Sequence, residues 1–238
     1  MRLLATEARV VGSSSQLPAN DNDTDFSNQL TMSHAAVAAH PETATGLDSR
    51  KLAIWTFIGS ECMFFASLIG TYLVYKGKDV AGPRPHDVWL LNGKEVEQML
   101  EIPLVTTGTA LLLFSSLFVV LALYGAQKGK RGMLIGWLGA TLFCGIFFVG
   151  MQVFEFTHFY HRGMGFTTNL FSQTFFTLTG FHGGHVSLGV LWLSTVFVLA
   201  LRGKLPPEKS LNLEIAALYW HFVDVVWIVI FPVVYLIH

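Results

Sequence analysis

After its first fifty residues the chain is written as five long apolar runs separated by short polar connections. The runs cover residues 52–75, 103–126, 133–156, 172–201 and 215–237. A helix needs about 20 apolar residues to cross a bilayer, and each run meets that length. The apolar positions are continuous rather than alternating, which points to helices and excludes a barrel. In lipid the backbone must satisfy its own hydrogen bonds, so a helix is the form such a run takes. The fourth run is the longest and must tilt or extend past the hydrocarbon. The pattern therefore predicts an all-α membrane protein with five transmembrane helices over residues 51–238. Residues 1–50 are polar and without helical or strand periodicity, and are expected to form a mobile tail. The opening "MRLLATEARVVGSSS" has no apolar stretch of signal-peptide length, because Glu7 and Arg9 interrupt it. The chain is expected to insert through its own helices.

Basic residues orient the bundle. Arg2, Arg9, Arg50, Lys51, Lys128, Lys130, Arg131, Arg202, Lys204 and Lys209 fall on one side. Lys76, Lys78, Arg84, Lys94 and Arg162 fall on the other. The positive-inside rule then predicts a cytoplasmic N-terminus and a C-terminus outside. Composition agrees with a lipid environment. The chain is 52% hydrophobic and 13% charged, against about 25% charged for a soluble domain. Its net charge of −1 gives no footprint for nucleic acid. Cys62 and Cys144 both lie in apolar runs and are expected to pack as small apolar residues.

Ionisable groups inside the spans carry the candidate chemistry. Glu61, Glu155 and Asp224 would each cost roughly 2.5–3.5 kcal/mol at the bilayer centre. Such groups pair, lose their charge or line a path. Glu61, in "WTFIGSECMFFASLIGTYLVY", reads as a buried packing carboxyl, as a proton-linked or lipid-headgroup contact, or as a metal or substrate ligand. Gln152, Glu155 and His158 recur every three residues and share a helix face. The Glu155-x-x-His158 spacing matches a di-iron ligand pair, but the second pair and the two further glutamates of such a site are missing. His182 and His185 also share a face and could ligate a metal or haem. Gly180-x-x-x-Gly184 in the same turn is a helix-packing spacing, which favours hydrogen bonding across a helix contact. His221 and Asp224, flanked by Trp220 and Trp227 near the start of "WHFVDVVWIVIFPVVYL", belong on a buried helix–helix or subunit contact. Pro232 removes a backbone donor and is expected to kink the end of that helix.

These same polar segments carry a family resemblance. "WHFVDVVWIVIFPVVYL" resembles the last-helix signature of subunit III of haem–copper respiratory oxidases, and "TGFHGGHVSLG" resembles the penultimate one. "GIFFVGMQVFEF" is similar to the helix before that, with Gln152 and Glu155 at matching positions. "ECMFF" resembles the segment with the family's membrane-buried glutamate, here Glu61. Four motifs in order span residues 52–237. Two positions depart from the family pattern: Ser172-Gln173 stands where a Gly-Ser pair is common, and Gly108 where an Asn is common. The chain resembles the five-helix bacterial form, which lacks the two helices that wall a lipid cleft in seven-helix members. A neighbouring subunit is one candidate to replace that wall.

The resemblance implies an accessory subunit of an oxidase in the bacterial cytoplasmic (inner) membrane. The oxidase reduces O2 to water and pumps protons through subunits I and II, which hold the haem and copper. This chain is then expected to hold no cofactor, no metal and no catalytic residue. It would pack beside subunit I, support stability and proton uptake, and bind phospholipid. Other respiratory complexes are further candidate partners. Glu61 would be the carbodiimide-reactive carboxyl, while Gln152, Glu155, His182, His185, His221 and Asp224 would hold helices or lipid. Cytochrome c is the preferred donor. A quinol oxidase subunit, or the related protein that accompanies nitric oxide reductase, is the alternative. A haem-binding cytochrome built on His182, His185 and His221, or a proton-coupled transporter built on Glu61 and Asp224, would be a different class. The paired broken helices or inverted repeats common in transporters are not found.

Overall fold

A computed structural model describes residues 48–76, 78, 89–91, 94–96, 102–206 and 210–236. The expected tail, apart from its last residues, lies outside the described residues, as does most of the connection over residues 77–101. Five helices form: α1 (Ser49–Tyr75), α2 (Ile102–Gln127), α3 (Arg131–His161), α4 (Leu170–Leu201) and α5 (Ser210–Phe231), which runs on into a π-helical turn at Pro232–Leu236. All five are long and apolar enough to cross a membrane. Between α1 and α2, β1 (Trp89–Leu91) and β2 (Lys94–Val96) pair antiparallel, with Trp89 opposite Val96. This small ribbon is an addition to the helical pattern.

Local chemistry sets the helix ends. Asp48 caps α1 by accepting from the Arg50 amide at 2.9 Å. Asn169 and Ser172 form a reciprocal capping box on α4, with bonds of 2.7 and 3.2 Å. Gly129 after α2 and Gly203 after α4 take φ values of 67° and 69°, the left-handed conformation that stops a helix at little cost to glycine. At Pro232, where a kink is expected, the helix widens into the π turn and the chain stays helical.

α5 is the axis of the bundle. Of its most apolar stretch 56% is buried, against 11% for α1. α2 and α3 pack most extensively, α3 lies on α4, and α5 packs against α2, α4 and α1. α1 touches the bundle through α4 and α5. The core centres on the fully enclosed Trp220 and Trp227 of α5, with Phe148 and Phe175 beside them. Trp220 fits because two neighbouring helices offer glycine: a Cβ at Gly145 of α3 would fall 2.6 Å from its ring, and one at Gly189 of α4 2.9 Å. Small residues at the contact allow this close approach, as is usual between helices in lipid. Of the expected packing glycines, Gly184 meets nothing within 4 Å and Gly180 only the edge of Phe156. The tight position is Gly183, against the Gln152 amide. The close approach therefore lies one residue away from the predicted glycine pair. Cys144 is buried as expected, whereas Cys62 is exposed on α1.

Gly189→Val should displace Trp220 and destabilise the bundle by about 1–3 kcal/mol. Gly136→Val, where nothing lies within 4 Å, should leave it unchanged. Unfolding of the purified chain in mixed micelles, followed by tryptophan fluorescence, measures the difference.

Candidate functional site

The polar residues of the spans form a seam around α5. Glu61 of α1 meets His185 of α4, Oε2 to Nε2, at 3.2 Å. The other ring nitrogen of His185, Nδ1, lies 2.8 Å from the Phe181 carbonyl. A carbonyl only accepts, so Nδ1 carries a proton. The contact with Glu61 then requires one more proton, held either on the carboxyl or on Nε2. With that proton the contact is either a neutral hydrogen bond or an ion pair, and in both forms the two side chains together carry no net charge. Phe65 packs its edge on the imidazole at 5.0 Å, and Tyr219 donates to the His185 carbonyl at 3.1 Å. The two side chains remain 20% and 16% exposed, at the perimeter of the bundle.

His182, one turn away, faces the interior instead. It is fully buried, stacks on Trp227 at 4.8 Å and meets the edge of Phe148. Neither ring nitrogen has a hydrogen-bond partner among the described residues. The two histidines share a helix face yet serve different surroundings. A ligand role for His185 would require it to give up one of two bonds. Among the described residues no group of three or more metal-binding side chains comes together.

His221 meets α2, where Ser116 Oγ lies 2.6 Å from its Nδ1. Asp224, one turn further along α5, is buried with neither carboxyl oxygen hydrogen-bonded among the described residues. The neighbouring Ser115 accepts from Trp220 Nε1 at 2.9 Å, and Thr109 accepts from Trp227 Nε1 at 2.9 Å. One side of α2 thus supplies a hydroxyl for Trp220, His221 and Trp227 of α5. On α3, Gln152 donates to the Thr179 carbonyl at 2.6 Å, and Glu155 accepts from Tyr235 at 3.0 Å. His158, the third member of that stripe, is half-buried further along.

Sequence reasoning missed the partners rather than the charged groups. Ser115, Ser116, Thr109 and Tyr235 do not stand out, because hydroxyls are common in membrane helices. The signal available was "LLLFSS", a serine pair inside an otherwise apolar run. Near one end, Lys51 of α1 pairs with Glu214 of α5 at 2.6 Å. Past the other end of α1, Lys76 donates to the Val233 carbonyl at 3.3 Å, and partial burial lowers the pKa of its ammonium.

A bundle with this seam has known relatives. The family model for cytochrome c oxidase subunit III matches residues 29–238. The cytochrome c oxidase subunit 3 of Bacillus sp. is 38% identical over 200 residues, covering 83% of this chain and 91% of that protein. The cytochrome bo(3) ubiquinol oxidase subunit 3 of Pseudomonas aeruginosa is 37% identical, covering 76% of this chain and 82% of its own. A probable quinol oxidase subunit 3 of Staphylococcus saprophyticus is 37% identical over 87% of this chain and 97% of its own. The chain belongs to the cytochrome c oxidase subunit III family. It is an integral membrane protein of the bacterial cytoplasmic membrane and a member of an oxidase complex. The four motifs that suggest subunit III are the segments that build the seam: "ECMFF" supplies Glu61, "GIFFVGMQVFEF" supplies Gln152 and Glu155, "TGFHGGHVSLG" supplies both histidines of α4, and "WHFVDVVW" lays its polar face on α2.

Thr109→Val removes the acceptor of a fully buried indole N–H. It should destabilise this subunit III by about 1 kcal/mol, the scale of an interhelical hydrogen bond in a membrane. Thr106→Val, at an exposed hydroxyl bonded only to its own helix, should change little. Thermal loss of tryptophan near-ultraviolet ellipticity compares the two.

Proposed function

We propose that this subunit III is a non-catalytic member of a proton-pumping terminal oxidase, whose haem and copper lie in subunits I and II. In this reading its N-terminus faces the cytoplasm and its C-terminus the outside, as the distribution of lysine and arginine favours. Its tasks are to steady the complex, hold phospholipid and sustain proton uptake beside subunit I. The observation that carries the proposal is the Glu61–His185 pair. A carboxyl and an imidazole in contact at the bundle perimeter, partly open, can move one proton between them without placing net charge in hydrocarbon, and uptake of a further proton would make the pair cationic. The seam supports a structural role for Gln152, Glu155, His182, His221 and Asp224. Each sits on a helix contact, and no two of them form an open site.

Cytochrome c is the donor in this reading, in keeping with the description of the family model. Relatives named for quinol oxidases match at similar identity, so quinol is the alternative. Oxidase isolated through a tag on this chain decides between them by its turnover with reduced cytochrome c and with ubiquinol.

Glu61→Gln preserves size and hydrogen bonding but cannot share the proton. The variant should assemble with the haem-bearing subunits, start at the parental rate and inactivate severalfold faster during turnover. Oxygen uptake followed to exhaustion of activity measures this. An unchanged lifetime would leave Glu61 a packing residue.

A further inference from the structure

His221 has one ring nitrogen committed and one open. Nδ1 is held by Ser116 at 2.6 Å. Nε2 has no hydrogen-bond partner among the described residues, and unlike both nitrogens of His182 it is not enclosed. The ring lies half-buried at the edge of the α2–α5 contact. Around it the surface is apolar and exposed: Leu113 and Val120 lie one turn either side of Ser116 on α2, and Val225 lies one turn beyond His221 on α5.

The position is deep. The Lys51–Glu214 ion pair marks one end of the span. His221 lies two turns further along α5, about 10 Å at the helical rise. Acyl chains offer nothing to hydrogen bond there, and an imidazole nitrogen turned to them would lose its water without replacement. Polar side chains exposed on α3 and α4 at comparable positions are satisfied internally. Thr157 on α3 and Thr195 on α4 bond the carbonyls of their own helices. Glu61 and His185 meet each other.

Charge also constrains what covers this spot. Asp224, buried, lies one turn from His221 on α5, and the described spans place no lysine or arginine near these positions in the helices. The complement is therefore a hydrogen-bonding side chain on a membrane helix, not an anion. We infer that the α2–α5 face around His221 is the docking surface for a transmembrane helix of a larger oxidase subunit, which hydrogen-bonds His221 Nε2. This rests on the reading of the chain as an accessory oxidase subunit.

The test uses the whole oxidase in its native membrane. A photoreactive benzophenone side chain is introduced at Val120 or Val225, and at Phe143 or Leu188 on the exposed faces of α3 and α4 for comparison. Irradiation at Val120 and Val225 should join this chain to a larger oxidase subunit, and the other two positions should not. Adducts from Phe143 or Leu188 alone, adducts with a second copy of this chain, or lipid adducts alone at Val120 and Val225 would each overturn the inference. If the tagged chain brings down no haem-bearing complex at all, the accessory reading itself fails. In a second measurement, His221→Phe should reduce retention of this chain on the detergent-washed complex by about tenfold, equivalent to 1.4 kcal/mol. Ser116→Ala, which leaves the outward nitrogen in place, should reduce it less. Retention of His221→Phe at the parental level would sink the proposal.

Discussion

Hydrocarbon forms no hydrogen bonds, and nearly every polar contact in this bundle follows from that fact. Both indoles that α5 buries, and the imidazole of His221, find their partners on another helix. α2 answers with Thr109, Ser115 and Ser116, α3 with Glu155, and α1 with Lys51. These contacts fix the rotation of α5 about its own axis. A turn of one residue would bring Trp220 off its serine and out of the space left by Gly145 and Gly189. Packing and polar pairing therefore select the same register, which is how a bundle of uniformly apolar helices acquires one structure.

The helices themselves were legible because length and hydropathy are properties of single segments. Five runs became five helices, shifted by a few residues at their ends, where caps such as Asp48 and Asn169 rather than apolar character set the boundary. The ionisable residues were legible for the same reason: a carboxylate or imidazole in an apolar run announces itself. Which helix each one meets was not. His182 and His185 share a face and a motif, yet one stacks on Trp227 and the other meets Glu61, a difference made by helices far away in sequence. Gly183 rather than Gly180 or Gly184 proved to be the close approach, because spacing marks a helix face only to within the width of a residue.

The contact between Glu61 and His185 has a structural meaning beside any part in turnover. It gives a carboxyl and an imidazole within apolar helices each other as partner. The same contact ties α1 to α4. A change that altered the proton count of the pair would therefore be felt in the helix packing as well as in the chemistry of the site.

The slight burial of α1 bears on how the protein is made. α1 leaves the ribosome first among the five helices, yet the elements it packs against, α4 and α5, are synthesised last. Until they arrive, Glu61 and Lys51 have neither His185 nor Glu214 to meet. α1 must wait in the bilayer as a separate helix, with a carboxyl in lipid, while α2 and α3 can pair at once as a hairpin. Completion of α5 closes the bundle. Loss of the last helix would leave α1 resting mainly on α4, so the final segment of the chain decides whether its first helix is held.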